Sequence, residues 1–321
     1  MFEMRSYNAL VYICAICYGI ALSSLSVDAF VDRDNYLVYA RSSYEIASFY
    51  MSKGIGPLFF NEPIWLAVNV TMAALLSPEN VLRSIIFFSS SVTAFFVLRN
   101  NAKYFIFLVF ILLLPQVLKN NIIHLRQGFA IAVFLCGWFS GHKNVRYVLF
   151  FLACMIHSSF FIVMFLMILN ALLIKLRLGA EIRTVVTIIS GVFVGVLGLW
   201  IAGLLGARQA NEYTSNGAAV SGLAFVFWAA VAALFFLQGK RFLYENSFQY
   251  SIIIFYLSTY FLLPVTARVF ESVILLVFLS LLGLTSYRKY LFISALSIYF
   301  VLQWVPRLIL PGFGWGVENY I

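Results

Sequence analysis

Charged residues are scarce in this sequence. Asp, Glu, Lys and Arg make up 10% of its 321 residues, whereas they make up about 25% of a soluble globular domain. The longest polar stretch runs only from about residue 28 to residue 62, which is too short to build a soluble core of its own. The composition therefore excludes an ordinary soluble globular protein.

Several well-known catalytic motifs are also missing. The sequence contains no GxSxG, HExxH or P-loop motif, so it gives no sign of the enzyme classes that those motifs mark. The four cysteines lie inside apolar runs, where packing explains them better than metal binding does. We expect no cofactor and no metal, although Asp32, Asp34 and Glu62 leave a site for a divalent cation open.

The sequence is rich in long apolar runs. Hydrophobic residues make up 63% of the chain, and they recur in runs of about 15 to 25 residues, the length of a membrane-crossing helix. The first run, residues 9–25, lacks a convincing signal-peptide cleavage site, so we expect it to remain as a helix. The sequence predicts an all-α fold, a polytopic transmembrane helical bundle that forms a single integral-membrane domain over residues 1–321.

Basic residues in the short loops predict the orientation of the helices, because Lys and Arg accumulate on the cytoplasmic side of a membrane. Five basic turns are therefore placed in the cytoplasm: Arg99 and Lys103; His142, Lys143 and Arg146; Lys175, Arg177 and Arg183; Lys240 and Arg241; Arg288 and Lys289. Much of the net charge of +9 lies in these turns. The positive charge therefore sets orientation and does not indicate binding to nucleic acid.

The resulting topology has about 11 spans. They lie near residues 8–28, 80–98, 104–118, 123–140, 146–157, 158–174, 184–205, 220–238, 248–263, 267–285 and 290–306. The apolar run at residues 64–76 is shorter than the roughly 17 residues that a crossing needs. We therefore prefer it as a juxtamembrane helix, and the count rises to about 12 if it does cross.

In this topology the unusual polar residues gather on the external side. The loop and juxtamembrane segment 29–79 and the loop 206–219 both face outward. The candidate site residues are Asp32, Asp34, Tyr36, Glu62, Arg126, Gln127, His157, Arg208, Tyr213, Arg268 and Glu271. We predict a functional site at the external boundary of the membrane.

Arg126 and His157 are ionisable residues beside long apolar runs. A charged side chain at the middle of the membrane costs about 2.5 to 3.5 kcal/mol on insertion scales, so such residues are site candidates. Two simpler explanations stay open. Arg126 could extend its charged end to the interface, and His157 could hydrogen-bond a neighbouring helix inside the core.

Two further groups of charged residues have similar alternatives. Glu271 follows Arg268 by three positions, so the two could pair on one helix face, whereas Arg268 alone would suit the oxygens of a phosphate. Asp32, Tyr36 and Tyr39 are spaced to share one face of a short helix. Asp32 could equally be a solvated loop charge.

Short motifs follow one another in a definite order along the first half of the chain. They are Asp32-x-x-x-Tyr36-x-x-Tyr39, Glu62-Pro63-x-Trp65, Arg126-Gln127-Gly128-x-Ala130, a basic turn, and Ile156-His157-Ser158-Ser159. In this order they resemble the EpsG-type, Wzy-like polysaccharide polymerases of bacterial envelopes. The matching motifs run from about residue 28 to residue 170, and the rest matches only as hydrophobic helices with an external Arg/Tyr loop and a later arginine.

The resemblance implies a glycosyltransferase with a lipid-sugar-dependent, GT-C-like architecture in the bacterial inner (cytoplasmic) membrane. Such enzymes join oligosaccharide repeat units carried on undecaprenyl diphosphate at the periplasmic or outer face, in the synthesis of O-antigen, capsule or exopolysaccharide. The implied partners are the lipid-linked donor and acceptor and the bilayer, with room for a chain-length regulator protein. Nucleic acid is not among them.

The resemblance also divides the candidate residues by role. Glycan transfer needs a base for the acceptor hydroxyl and a cation for the departing diphosphate. The base could be Asp32, Asp34 or His157, and arginines can stabilise the diphosphate without a metal. The expected catalytic residues are Asp32, Asp34, Arg126, His157 and Arg268. The expected substrate-binding residues are Tyr36, Glu62, Gln127, Arg208, Tyr213 and Glu271.

Two other functions remain open at this stage. A flippase or exporter of lipid-linked glycans would also have external arginines, but it needs a cavity that opens to both faces, and the cytoplasmic side here has only short basic turns. An integral-membrane acyltransferase that modifies a glycan would use a histidine near an aspartate or an arginine.

Overall fold

The computed structural model describes residues 2–204 and 222–317. Within these ranges the chain is helical and has no β-strand, apart from an isolated antiparallel bridge between Phe30 and Gly316. The prediction of an all-α fold is therefore confirmed. The described helices group into two compact units, one within Met1–Ser158 and Ile298–Ile321 and the other within Ser159–Ser297.

The first unit contains long helices that pack side by side and short helices between them. Its helices are α1 Phe2–Ser23, α2 Arg33–Arg41, α3 Ser43–Ser52, α4 Ile55–Phe60, α5 Pro63–Ala73, α6 Pro78–Arg99, α7 Phe105–Leu112, α8 Pro115–Ile122, α9 Leu125–Trp138 and α10 Lys143–Ile156. Helix α1 packs along α6, α6 packs against α9, and α9 packs against α10. The predicted loop and juxtamembrane segment 29–79 consists largely of the short helices α2 to α5.

The second unit has its own set of helices. They are α11 Ser159–Lys175, α12 Ala180–Leu204, α13 Leu223–Gln238, α14 Lys240–Glu245, α15 Ser247–Thr259, α16 Thr266–Glu271 and α17 Ile274–Leu281. The last helix, α18 Ser286–Trp304, begins in this unit, and its residues from Ile298 onward belong to the first unit. Helix α15 packs along α12 and also contacts α11 and α13. The predicted loop 206–219 lies outside the residues that the structure describes.

The prediction of a continuous helix near residues 267–285 is wrong. The chain forms two shorter helices there, α16 and α17, which are separated at Ser272 and Val273. The Ser272 hydroxyl donates a hydrogen bond to the carbonyl oxygen of Arg268 at 2.9 Å, and a serine that bonds back to the preceding turn disturbs the regular helix. Val273 also leaves helical geometry, with φ −130° and ψ 6°.

Membrane-spanning helices can be recognised by length and composition. In the described part of the chain, Ser6–Ser23, Pro78–Arg99 and Ala180–Gly198 are long and apolar enough to cross, and Ala102–Leu112 with Pro115–Ile122 would add a fourth span with a bend of 64°. Pro115 suits the bend because proline lacks a backbone N–H. The chain is a multi-pass membrane protein. The finer count of about 11 or 12 spans remains a prediction, as does the single domain over residues 1–321.

The segment that follows α1 is tied to the end of the described chain. The Val31 N–H donates to the carbonyl oxygen of Trp315 at 2.9 Å, and the Val317 N–H donates to the carbonyl oxygen of Ala29 at 3.1 Å. We expect both segments outside the membrane, because a chain of about 11 spans that begins in the cytoplasm ends on the external side. Their direct contact fits that placement.

The orientation of the first unit can be tested by labelling single cysteines. We expect Asp34→Cys, in a background without native cysteines, to react with a membrane-impermeant maleimide in intact cells, because Asp34 is exposed and is predicted to be external. Lys143→Cys, also exposed, should react only after the membrane is permeabilised. Reaction of position 143 in intact cells would contradict the predicted topology.

Candidate functional site

The carboxylate of Glu62 lies between Arg126 and His157. Arg126 Nη1 donates to Glu62 Oε2 at 2.5 Å, and His157 Nδ1 lies 2.7 Å from Glu62 Oε1. The backbone N–H of Ser158 also donates to Oε1, at 3.4 Å. Three predicted site residues from distant parts of the first unit therefore form one cluster, which we call the Glu62 cluster (Glu62, Arg126 and His157).

Helix ends position all three side chains of the Glu62 cluster. Glu62 is the residue before α5 and has a left-handed backbone, with φ 62°, a conformation that costs a non-glycine residue roughly 1 to 2 kcal/mol. Arg126 is the second residue of α9, and His157 is the extended residue that ends α10. The positive end of the α9 dipole disfavours a cation at the helix N-terminus, where Arg126 lies. The Glu62 carboxylate supplies the negative charge that offsets this repulsion.

The Glu62 carboxylate is ionised although it is buried. It is 5% exposed, and it precedes α5, outside the membrane-spanning helices. Burial by itself raises its pKa, but the Arg126 and His157 side chains outweigh burial and hold the pKa at about 2. Because an ionised carboxylate can only accept hydrogen bonds, its contact with Nδ1 of His157 requires a proton on that nitrogen.

The contact with Glu62 therefore fixes the tautomer of His157. When the imidazole is neutral and Nδ1 carries the proton, Nε2 is the basic nitrogen. The same carboxylate–imidazole arrangement orients the general base in serine hydrolases. The Glu62 cluster thus has the parts of a carboxylate-oriented base with a guanidinium beside it.

Two tyrosines of α2 cover the Arg126 guanidinium. The guanidinium carbon lies 5.8 Å from the centre of the Tyr36 ring and 5.5 Å from that of Tyr39. Tyr36 in turn packs edge-on against Trp65, with ring centres 5.7 Å apart. Tyr36 and Tyr39 lie together on the side of α2 that meets Arg126, whereas Asp32, which was expected on the same helix face, precedes the helix.

The hydrogen bonds of the Arg126 guanidinium do not involve all of its N–H donors. Its Nη1 is paired with Glu62 and does not extend into solvent, which disfavours the explanation that Arg126 only reaches for the interface. Its Nε is buried and has no hydrogen-bond partner among the residues that the structure describes. An anion that reached this nitrogen would satisfy a donor that the described protein atoms do not.

Gly128 has a steric role in the Arg126-Gln127-Gly128 motif. A Cβ atom at this position would lie 2.1 Å from the backbone oxygen of Asn120 in α8, closer than atoms can approach. Glycine therefore allows α9 to lie directly against the end of α8. Gln127, which is 1% exposed, is held in this tight contact region between Arg126 and Gly128.

The two predicted aspartates lie at the edge of this region. Asp32 precedes α2 and keeps 48% of its side chain exposed, and its Oδ2 lies 4.0 Å from Nδ1 of His124. Asp34, in the first turn of α2, is also exposed. Both carboxylates are accessible to a soluble ligand, and neither belongs to the Glu62 cluster.

The remaining predicted site residues lie elsewhere in the sequence. Arg268, half-buried, and Glu271, buried, both belong to α16 of the second unit, and their part in the same site remains a prediction. Arg208 and Tyr213 lie outside the described residues. Over residues 2–204 and 222–317, no group of three or more His, Cys, Asp or Glu side chains is arranged to hold a metal ion.

Arg33 is an organising residue that the sequence did not reveal. It is fully buried, its Nε donates to the carbonyl oxygen of Ile122 at 3.0 Å, and its guanidinium lies 5.0 Å from the centre of the Phe30 ring. Burial, with a smaller contribution from Arg83, lowers its pKa to about 10. Asp32 and Asp34 flank it in the sequence, and such polar neighbours give no signal of burial.

Comparison with known proteins gives a family match. A family model described as the EpsG family matches residues 7–311 of the chain. No curated protein and no solved structure matches it.

The charge pairing inside the Glu62 cluster can be measured with a double-mutant cycle. We expect Glu62→Met and Arg126→Met each to destabilise the protein by about 3 to 5 kcal/mol, because each removes the opposite charge that pairs with the buried partner. The double variant should lose clearly less than the sum of the two, since it removes both charges. The measurement is the thermal unfolding midpoint of each variant in the same detergent.

Asp34→Asn serves as the matched control, because this carboxylate is exposed and its removal should change stability by less than about 0.5 kcal/mol. Additive effects of the two methionine substitutions would show that Glu62 and Arg126 do not stabilise each other.

Proposed function

The chain belongs to the EpsG family, and on that premise we propose that it is a glycosyltransferase that polymerises a polysaccharide. In this proposal it joins oligosaccharide repeat units carried on undecaprenyl diphosphate at the outer face of the bacterial inner membrane, for O-antigen, capsule or exopolysaccharide. The observation that carries the proposal is the Glu62 cluster, in which an ionised carboxylate orients an imidazole and pairs with an arginine.

His157 is the proposed general base. In the transfer, the acceptor hydroxyl oxygen forms a bond to the anomeric carbon of the donor, its proton passes to Nε2 of His157, and the bond from that carbon to the diphosphate oxygen breaks. Glu62 keeps the proton on Nδ1 and stabilises the imidazolium that forms. Among the three candidate bases, only His157 is held by a buried carboxylate within the described residues. This orientation favours His157 over Asp32 and Asp34.

Arg126 is the proposed partner of the departing diphosphate. Negative charge grows on the diphosphate oxygen as the bond to the sugar breaks, and a fixed guanidinium stabilises such charge without a metal. Glu62 pairs with Nη1 of Arg126, and the guanidinium carbon lies over the rings of Tyr36 and Tyr39, so these contacts hold the guanidinium in place before the reaction. The buried Nε, which has no partner among the described residues, is the donor that we assign to the diphosphate.

The exposed side chains of α2 suit the sugars of the substrate. Asp32, just before α2, and Asp34, in its first turn, are accessible carboxylates. Carboxylates accept hydrogen bonds from sugar hydroxyls. We therefore propose that α2 binds the repeat unit next to the Glu62 cluster.

The proposal can be tested in a bacterial strain that lacks the gene and carries a variant at matched expression. We expect His157→Gln to slow polymer formation by a factor of roughly 10² to 10⁴, the usual contribution of a general base, and to leave single repeat units outside the cell. His142→Gln is the matched control, because His142 lies exposed in a basic turn. Chain length on the extracted glycan is the readout.

The alternatives give different products in the same experiment. Lipid-linked units that accumulate inside the cell would identify a flippase or exporter. Glycan of normal length that lacks an acyl group would identify an acyltransferase. Normal chain length from folded His157→Gln would remove the base role of His157 and transfer that role to Asp32 or Asp34.

A further inference from the structure

The second unit contains a small polar cavity close to the start of α12. Its volume is about 10 Å³, which is room for about one water-sized group. Side chains of α12 and α15 supply its polar lining, namely Arg183, Thr184, Thr187, Ser247, Tyr250 and Ser251. None of these residues belongs to the Glu62 cluster, and the sequence assigned Arg183 only to a basic cytoplasmic turn.

Arg183 is a buried cation that forms no salt bridge within the part of the chain that the structure describes. It is 8% exposed, and its Nε and Nη1 atoms have no hydrogen-bond partner within the described ranges. Its closest described aromatic contact is the Tyr244 ring, whose centre lies 5.9 Å from the guanidinium carbon. A buried charge without a partner is strongly destabilising, so the arrangement favours an anion beside Arg183.

Other groups around the cavity also favour an anion. Ala180, the first residue of the 25-residue helix α12, contributes to the lining, and a helix N-terminus presents free N–H groups and the positive end of the helix dipole. The Ser247 hydroxyl oxygen accepts a hydrogen bond from Asn170 Nδ2 at 3.1 Å. Its own proton is therefore available for donation to a ligand.

The position of the cavity along α12 indicates a ligand at the membrane boundary. Residues Ala180–Gly198 are long and apolar enough to cross a membrane, so the first turns of α12 lie near the headgroups. The turns on either side carry exposed cations at Lys175, Arg177, Lys240 and Arg241. Such clusters attract anionic lipid surfaces by about 1 kcal/mol per cation.

From these observations we infer that the Arg183 cavity binds a phosphate oxygen, supplied by the headgroup of an anionic phospholipid. The cavity admits one oxygen, and the remainder of the headgroup lies outside it among the exposed cations. Arginine suits this role because its planar guanidinium donates several hydrogen bonds to phosphate oxygens. This site is separate from the proposed transfer reaction and gives the second unit a lipid-binding role of its own.

The test measures lipid retention by the purified full-length protein. Native mass spectrometry in detergent would compare phosphatidylglycerol with phosphatidylcholine, and thermal unfolding would compare both with inorganic phosphate and with chloride. We expect phosphatidylglycerol to bind the unchanged protein and to raise its unfolding midpoint. Arg183→Gln should weaken that binding at least tenfold, because it removes charge-assisted hydrogen bonds, and Arg183→Lys should lie between the two.

Lys143→Gln is the matched control, since Lys143 is an exposed cation of the first unit and is not among the cations beside the cavity. Its binding of phosphatidylglycerol should stay within twofold of the unchanged protein. If Arg183→Gln fails to fold, Ser247→Ala keeps the arginine and removes one donor, and it should weaken binding several-fold. Unchanged binding by Ser247→Ala would then overturn the proposal.

The remaining outcomes separate the sources of the phosphate. Stabilisation by inorganic phosphate that depends equally on Arg183 supports the site and identifies soluble phosphate as its ligand. Equal binding of phosphatidylglycerol by the unchanged protein and Arg183→Gln would overturn the proposal. Equal stabilisation by phosphatidylcholine, or by chloride alone, would overturn it as well.

Discussion

The buried carboxylate of Glu62 is the constraint on which the candidate site depends. An ionised carboxylate away from water is costly unless cations and hydrogen-bond donors surround it, and here Arg126, His157 and the Ser158 N–H do so. These partners come from the starts and ends of different helices. The compensation of one charge therefore fixes how α5, α9 and α10 meet, and it sets the orientation of the proposed base.

Arg126 has two roles in this account. It pairs with Glu62 in the folded protein, and it is proposed to bind the diphosphate of the substrate. Nη1 of the guanidinium pairs with Glu62, and the guanidinium carbon lies over the rings of Tyr36 and Tyr39 in α2. The proposed diphosphate would use the remaining Nε donor. A guanidinium can serve both purposes because its five N–H donors point in fixed, different directions, which a lysine ammonium could not reproduce.

The sequence predicted the helical class and the importance of Arg126 and His157, because ionisable residues inside apolar runs stand out on their own. It could not predict that both would bind Glu62, since the pairing joins positions 64 and 95 residues apart and depends on how the helices pack. Arg33 lies between two aspartates and Arg183 was predicted in a basic turn, so only the tertiary structure reveals that both side chains are buried. The helix break at Ser272 could not be predicted either, because the apolar residues continue on both sides of it without interruption.

The most direct test of the account is a structure of the full-length protein with a lipid-diphosphate-linked oligosaccharide bound. The account predicts that a diphosphate oxygen lies within hydrogen-bond distance of Arg126, and that the sugar lies between Nε2 of His157 and helix α2. It also predicts that the contact between Glu62 and His157 persists in the complex. A diphosphate bound away from Arg126, with His157 still enclosed and out of reach of any sugar hydroxyl, would contradict the account and leave the Glu62 cluster a purely structural element.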